Sequence, residues 1–262
     1  GKCVAVSADR LLVSTDGESW EVAKLPGLFR GLSVSKLGGL WICAGSINGV
    51  PHVTTSADAL QWSLPQPQTG IVDPDGKSYP LAQMTIFAGR LIGVMETGRY
   101  VFTSNDGVAW TPSVANWLSG TVSSNNRAYA KSRLTHDGTR MIQISSQYNP
   151  SIPLRALVTT DGLTWTEQTL SANSADQNLT VVSVFHSEQV WNVITVNYSS
   201  YVTRFHSDDG SAWQRQTMPA PGSLSAIASS STLNAVNFGN TTFSYLKNQR
   251  VVAWGNINTL AG

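Results

Sequence analysis

Ser104-Asn105-Asp106-Gly107-Val108-Ala109-Trp110 is the stretch on which the fold of this chain turns. The same pattern stands, without gaps, at Ser14-Thr15-Asp16-Gly17-Glu18-Ser19-Trp20 and Ser56-Ala57-Asp58-Ala59-Leu60-Gln61-Trp62. It returns at Thr159-Thr160-Asp161-Gly162-Leu163-Thr164-Trp165 and Ser207-Asp208-Asp209-Gly210-Ser211-Ala212-Trp213. Successive tryptophans are 42, 48, 55 and 48 residues apart, and five of the nine tryptophans occupy this one position. A period of that length marks an array in which each unit buries its apolar face against a neighbour.

The box has a local structural logic. Ser/Thr and Asp side chains hydrogen-bond backbone groups of their own turn. Glycine supplies the positive φ such a turn needs. Tryptophan on the outgoing strand is a large apolar plate suited to packing between units. Asp16, Asp58, Asp106, Asp161 and Asp209, with Trp20, Trp62, Trp110, Trp165 and Trp213, are therefore read as structural. Five aspartates distributed around an array cannot converge on one catalytic centre, and all five tryptophans are expected to be buried.

Outward from the third box the chain reads as strands. Gln83–Ala88, Leu91–Met95 and Tyr100–Ser104 are β-rich runs punctuated by Gly89-Arg90, Thr97-Gly98 and Asn105-Asp106-Gly107, the signature of hairpins. No stretch carries sustained helical periodicity. Four short strands per repeat predict an all-β fold, a β-propeller of four-stranded blades. Six blades are expected, with five or seven as alternatives, in a single domain over 1–262. Gly1 in place of Met is read as the boundary of a domain cut from a longer chain. The first unit lacks its first strand. The last has a degraded box, with Arg250 at the aspartate position and Trp254 following Trp213 by 41 residues. Val251–Trp254 is expected either to end blade six or to cross over and complete blade one, since ring closure removes exposed sheet edges.

These segments resemble the Asp-box, or BNR, repeats of sialidase-like β-propellers, from Val4 to about Thr217. That family usually has one residue between Asp and Gly. Here the two are adjacent in four copies, and Ala59 replaces the glycine in the second. The shorter form, followed by Thr at Thr111 and Thr166, resembles repeats of phage tail and bacterial surface propellers. A sialidase-like site implies an arginine cluster, a Tyr nucleophile with a Glu base, and an acid Asp. Arg30, Arg99, Arg127 and Arg155 fall on the loop face, with Glu96 near Tyr100. Phe29-Arg30 is similar to the start of that family's Phe/Tyr-Arg-Ile-Pro motif, but Gly31-Leu32 replaces Ile-Pro.

Bulk properties narrow the function. Charged residues make up 13% of the chain and the net charge is +1, without the basic excess of a nucleic-acid binder. Apolar runs are too short for membrane insertion by a helix. Cys3 and Cys43 are expected as buried free thiols, with a bridge between blades as the alternative. Asp73-Pro74-Asp75-Gly76 reads as an Asp-Gly turn rather than a calcium loop. His52, His136, His186 and His206 show no metal-ligand spacing, so no metal or cofactor is expected. The sequons at Asn178, Asn197 and Asn240 are of a kind that arises by chance in a chain rich in Ser, Thr and Asn.

The candidate ligand surface is the face opposite the box hairpins. Its loops include Pro65–Pro80, Glu96–Tyr100, Ser113–Tyr129, Tyr148–Arg155 and Asn197–Tyr201. They gather Tyr79, Tyr100, Trp117, Arg127, Tyr129, Tyr148, Tyr198 and Tyr201. Aromatic plates with polar tips suit sugar stacking or anchoring of a protein partner. The expected function is non-enzymatic binding of a host-surface glycan or protein receptor within a phage tail or virion attachment apparatus. It is placed at the virion surface or outside the cell. A sialidase-like glycosidase, or an assembly propeller binding another virion protein, are the alternatives.

Overall fold

The computed structural model describes residues 1–7, 9–73, 76–95, 100–113, 132–145, 154–171, 179–187, 189–196, 202–218, 224–229, 233–238, 241–246 and 251–256, with backbone alone beyond 216. Its strands form six antiparallel sheets. Blade one holds β1 (Cys3–Ser7), β2 (Arg10–Ser14) and β3 (Glu21–Lys24). Blade two holds β4 (Arg30–Leu37), β5 (Leu40–Ile47), β6 (Val50–Ser56) and β7 (Gln66–Pro67). Blade three holds β8 (Leu81–Phe87), β9 (Arg90–Met95), β10 (Val101–Ser104) and β11 (Thr111–Pro112). Blade four holds β12 (Ser132–His136), β13 (Met141–Ser145), β14 (Leu154–Thr159) and β15 (Thr166–Ser171). Blade five holds β16 (Thr180–Ser187), β17 (Val190–Val196), β18 (Val202–Ser207) and β19 (Gln214–Met218). Blade six holds β20 (Leu224–Ser229), β21 (Leu233–Phe238), β22 (Thr241–Leu246) and β23 (Val251–Asn256).

Two sequence expectations about closure are resolved. β23 pairs with β22, so Val251–Trp254 ends blade six rather than crossing to blade one. Blade one keeps three strands, as its missing first strand foretold. β1 is consequently a sheet edge, and Cys3 on it is exposed. Both cysteines are free, but only Cys43 is buried, which corrects the expectation of two buried thiols. Burial pushes the Cys43 thiol up to about 12.

Each complete sheet sets its first strand beside the first strand of the next: β4 by β8, β8 by β12, β12 by β16, β16 by β20. Side chains clasp this inner ring. Met84 N–H donates to Ser33 Oγ at 2.8 Å. Fifty residues on, the Gln83 amide both donates to the Leu134 carbonyl and accepts from its N–H, each at 2.8 Å. Bulges at Gly31/Ser33, Leu81/Gln83, Val181/Ser183 and Leu224/Ala226 recur at the same place in four first strands. They bend each strand where the sheets crowd together.

Apolar clusters lie in the seams between blades. Ile42, Ala44 and Val53 of blade two pack with Leu81, Leu91 and Phe102 of blade three. Ile142, Ile144 and Ala156 of blade four pack with Trp191, Val193 and Phe205 of blade five. The box turns enter these seams from the following blade. A Cβ on Gly107 would stand 2.8 Å from Ile42, one on Gly162 3.0 Å from Ile92, and one on Gly210 3.4 Å from Ile142. Gly107 and Gly162 are thus seated on an isoleucine of the preceding blade, and Gly210 sits among Arg140, Trp191 and Ile142.

The box tryptophans face backward in the same way, and their burial depends on that preceding blade. Trp110 is 4% exposed, while Trp62, Trp165 and Trp213 are half-buried against their seams. Trp20 is 43% exposed, so uniform burial is not observed. A Cβ on Gly17 meets nothing within 4 Å. The first box turn therefore has no seat among the described residues.

Candidate functional site

The box carboxylates are committed to their own turns. Asp161 Oδ1 accepts from Leu163 N–H at 2.8 Å, Thr164 N–H at 2.7 Å and Thr159 Oγ1 at 2.9 Å. Asp16, Asp58, Asp106 and Asp209 repeat the arrangement. Backbone N–H groups hold Asp16 and Asp58 down to about 2, and hydrogen bonds within the turn lower Asp161 and Asp209 further. At Asp106, burial opposes the shift, and the Val108 and Ala109 N–H groups outweigh it. A carboxylate saturated by donors is a poor base, which accords with the structural role read from the sequence.

The opposite face is described in part. Leu81 pairs with Met95, and Val101 pairs with Val94, so Tyr79 and Tyr100 come to the same end of blade three, away from its box turn. Tyr79 is 37% exposed. Tyr100 is partly buried and packs against the seam between blades two and three, so its ring serves the core as well as the rim. Trp117, Arg127, Tyr129, Tyr148, Tyr198 and Tyr201 lie outside the described residues, as do Glu96 and Arg99.

The Pro65–Pro80 loop is tied to the fold at several points along its length. Its first half is structural: Gln68 is buried, Ile71 is 1% exposed, and Thr69 forms a parallel bridge to Ala109. Its second half is tied down by Ser78 Oγ donating to the Ile71 carbonyl at 2.6 Å. Gly76 N–H donates to the Asp73 carbonyl and Lys77 N–H to Asp73 Oδ1, the geometry of a turn closed by its own aspartate. Tyr79 is exposed at the end of this loop, together with Val72, Lys77 and Ser78.

Of the other polar candidates, Arg30 is exposed, and three are engaged within the fold. Arg155 is ion-paired with Glu167 on the adjacent strand. His136 packs on Phe87 and His186 on Trp191. No group of three metal-ligating side chains occurs among the described residues, and no helix there is long and apolar enough to cross a membrane.

Two features escaped the sequence reading. Arg204, 8% exposed, donates to Asn192 Oδ1 at 2.8 Å and to Gln216 Oε1 at 3.4 Å. By register it occupies the place held by Val101 and Ala156 in blades three and four. The second is a groove of about 410 Å³ between blades one and two, lined by Glu21, Leu25, Pro26, Leu60, Gln61 and Trp62. The repeat alignment would have exposed Arg204 as a charge at an apolar position. The groove has no signal in the box itself.

No protein-family model matches the chain, and no curated protein matches it. Among solved structures it is similar to virginiamycin B lyase from Staphylococcus aureus, at 12% identity and a TM-score of 0.65, covering 97% of this chain and 83% of that one. It is similar to the Pan2 WD40 domain of Neurospora crassa, at 9% identity and a TM-score of 0.59, covering 94% and 72%. BamB from Moraxella catarrhalis matches at 11% identity and a TM-score of 0.51, covering 97% and 87%. Likeness at such identity carries architecture alone, and with the six sheets above it makes this chain a β-propeller.

Proposed function

We propose that this propeller is a non-enzymatic binding module of the short Asp-box kind, recognising a host-surface glycan or protein as part of a phage tail or virion attachment apparatus. The observation that carries the reading is the placement of Tyr79 and Tyr100 at the end of blade three away from its box turn, the face to which the sequence pattern assigns Trp117, Tyr129, Tyr148, Tyr198 and Tyr201. Rigid amphipathic rings on that face supply contact area, and Asn and Arg side chains beside them set orientation. The low charge and the Ser/Thr/Asn-rich sequence suit contact with polar partners. Lyase or sialidase activity has no observation of its own in support, because identity to the lyases of 12–14% transfers no chemistry.

The test compares glycan-array binding with pull-down against virion proteins, using the intact chain and a Tyr79→Ala, Trp117→Ala, Tyr148→Ala variant. Binding to a glycan or receptor, weakened by roughly tenfold or more in the variant at unchanged melting temperature, is expected. Sialoside turnover abolished by Glu96→Gln would overturn the non-enzymatic reading. Capture of virion proteins alone would replace attachment by assembly.

A further inference from the structure

Among the described residues, the outermost strands of neighbouring blades are sealed together at two seams. Between blades two and three, Thr69 N–H donates to the Val108 carbonyl and the Thr69 carbonyl accepts from Trp110 N–H, both at 2.9 Å. Gln68 Nε2 adds a bond to the Gly107 carbonyl at 2.9 Å. Between blades three and four, Ser113 Oγ donates to the Gly162 carbonyl at 2.9 Å and accepts from Trp165 Nε1 at 3.0 Å.

The seam between blades one and two lacks its seal. Ala23 pairs with Leu11 as Gln66 pairs with Val53. Counting onward along the chain, Leu25, Pro26 and Gly27 are the counterparts of Gln68, Thr69 and Gly70. Proline has no N–H to give, and the Pro26 carbonyl already accepts from Phe29 N–H at 3.2 Å. The Leu60 carbonyl and Trp62 N–H, counterparts of the Val108 carbonyl and Trp110 N–H, have no hydrogen-bond partner among the described residues. The groove of about 410 Å³ opens at this point.

We propose that this groove binds a short extended peptide segment of a second protein, which seals the seam as Thr69 seals the next one. The unmet groups are one backbone donor and one backbone acceptor, two residues apart, which is what an added strand satisfies. A sugar offers hydroxyls but no such fixed pair. The central residue of the peptide donates to the Leu60 carbonyl and accepts from Trp62 N–H. A glutamine before it reaches the Ala59 carbonyl, which like that of Gly107 already receives its own tryptophan's Nε1 at 2.9 Å. Glycine is required after it, because a Cβ on Gly70 would stand 1.8 Å from the Trp110 carbonyl oxygen. The motif is Gln-Thr-Gly or its like. The groove is separate from the tyrosine face and does not depend on what that face binds.

The test uses a fluorescein-labelled peptide with the chain's own sequence from Leu64 to Val72, read by anisotropy and by backbone amide shifts. Saturable binding with shifts at Leu60, Gln61 and Trp62 is expected. Methylating the nitrogen of the threonine at position 69 removes the donor and should weaken binding roughly tenfold or more. Pro26→Thr returns a donor N–H to the seam and should compete with the peptide to a similar extent. The methylated peptide decides the matter if that variant does not fold. Absence of binding at millimolar peptide, equal binding of the methylated peptide, or shifts confined to Val108–Trp110 would overturn the proposal. So would an oligosaccharide that shifts Trp62 while the peptide does not.

Discussion

Gly70→Ala is the sharpest probe of how the blades are joined. Gly70 has φ of +78°, where an alanine costs about 1 kcal/mol or more. Its added Cβ would stand 1.8 Å from the Trp110 carbonyl oxygen and 2.9 Å from the carbonyl carbon. Both are backbone atoms of a tryptophan that is itself buried, so neither can swing aside. The Gln68–Gly70 segment must lift off, forfeiting the two Thr69 backbone bonds and the Gln68 amide bond. Each such bond is worth about 1 kcal/mol net. With the backbone strain, the expected loss is about 4 kcal/mol. Urea unfolding followed by tryptophan fluorescence measures it, and hydrogen exchange at the Trp110 amide shows whether the seal has opened. A loss below about 1 kcal/mol with the Trp110 amide still protected would refute the assignment of the seam's strength to these residues.

Other outcomes follow from the same geometry. Trp110→Ala should cost about 3–5 kcal/mol in denaturant unfolding, because it empties a buried site. Trp20→Ala should cost about 1 kcal/mol or less, since nearly half of its side chain is in water already. The box aspartates carry depressed values in the fold, Asp16 and Asp58 at about 2. Their contribution is present above the unfolded value of about 4 and disappears as pH falls toward about 2. Circular dichroism on acid titration should show cooperative loss of structure within that window. Cys3 should react with a thiol reagent in the native state, and Cys43 only after unfolding.

Much of the architecture was legible because the box writes its own turn. Ser104, Asp106 and Gly107 satisfy one another within four residues, so composition and spacing suffice to find the hairpin. The missing first strand of blade one was legible for the same reason, since register runs outward from the box. What the sequence hid is set between blades. Trp20 and Trp110 are the same residue in the same local motif, yet one is 43% exposed and the other 4%. The difference lies in the neighbour, about which the motif says nothing. Thr69 looks like any loop threonine, and its bonds to Val108 and Trp110, 39 and 41 positions on, give it a role. Of the tyrosine face, Tyr79 is exposed, while the packing of Tyr100 on the core depends on contacts that no single loop encodes.

The placement of three box glycines, Gly107, Gly162 and Gly210, against an isoleucine of the preceding blade makes the array modular over a definite span. Ile42, Ile92 and Ile142 stand beside Gly107, Gly162 and Gly210, with Arg140 and Trp191 nearer still to Gly210, so the sockets of blades two, three and four share one isoleucine against which the boxes of blades three, four and five sit. At the next socket the series stops. Asn192 holds the isoleucine's place by register, beside the charge of Arg204, and the sixth unit carries no box glycine to insert. Whole repeats could therefore be duplicated, deleted or exchanged within blades three to five by cutting between socket and plug. Blade six is matched to its own seam and would not transplant.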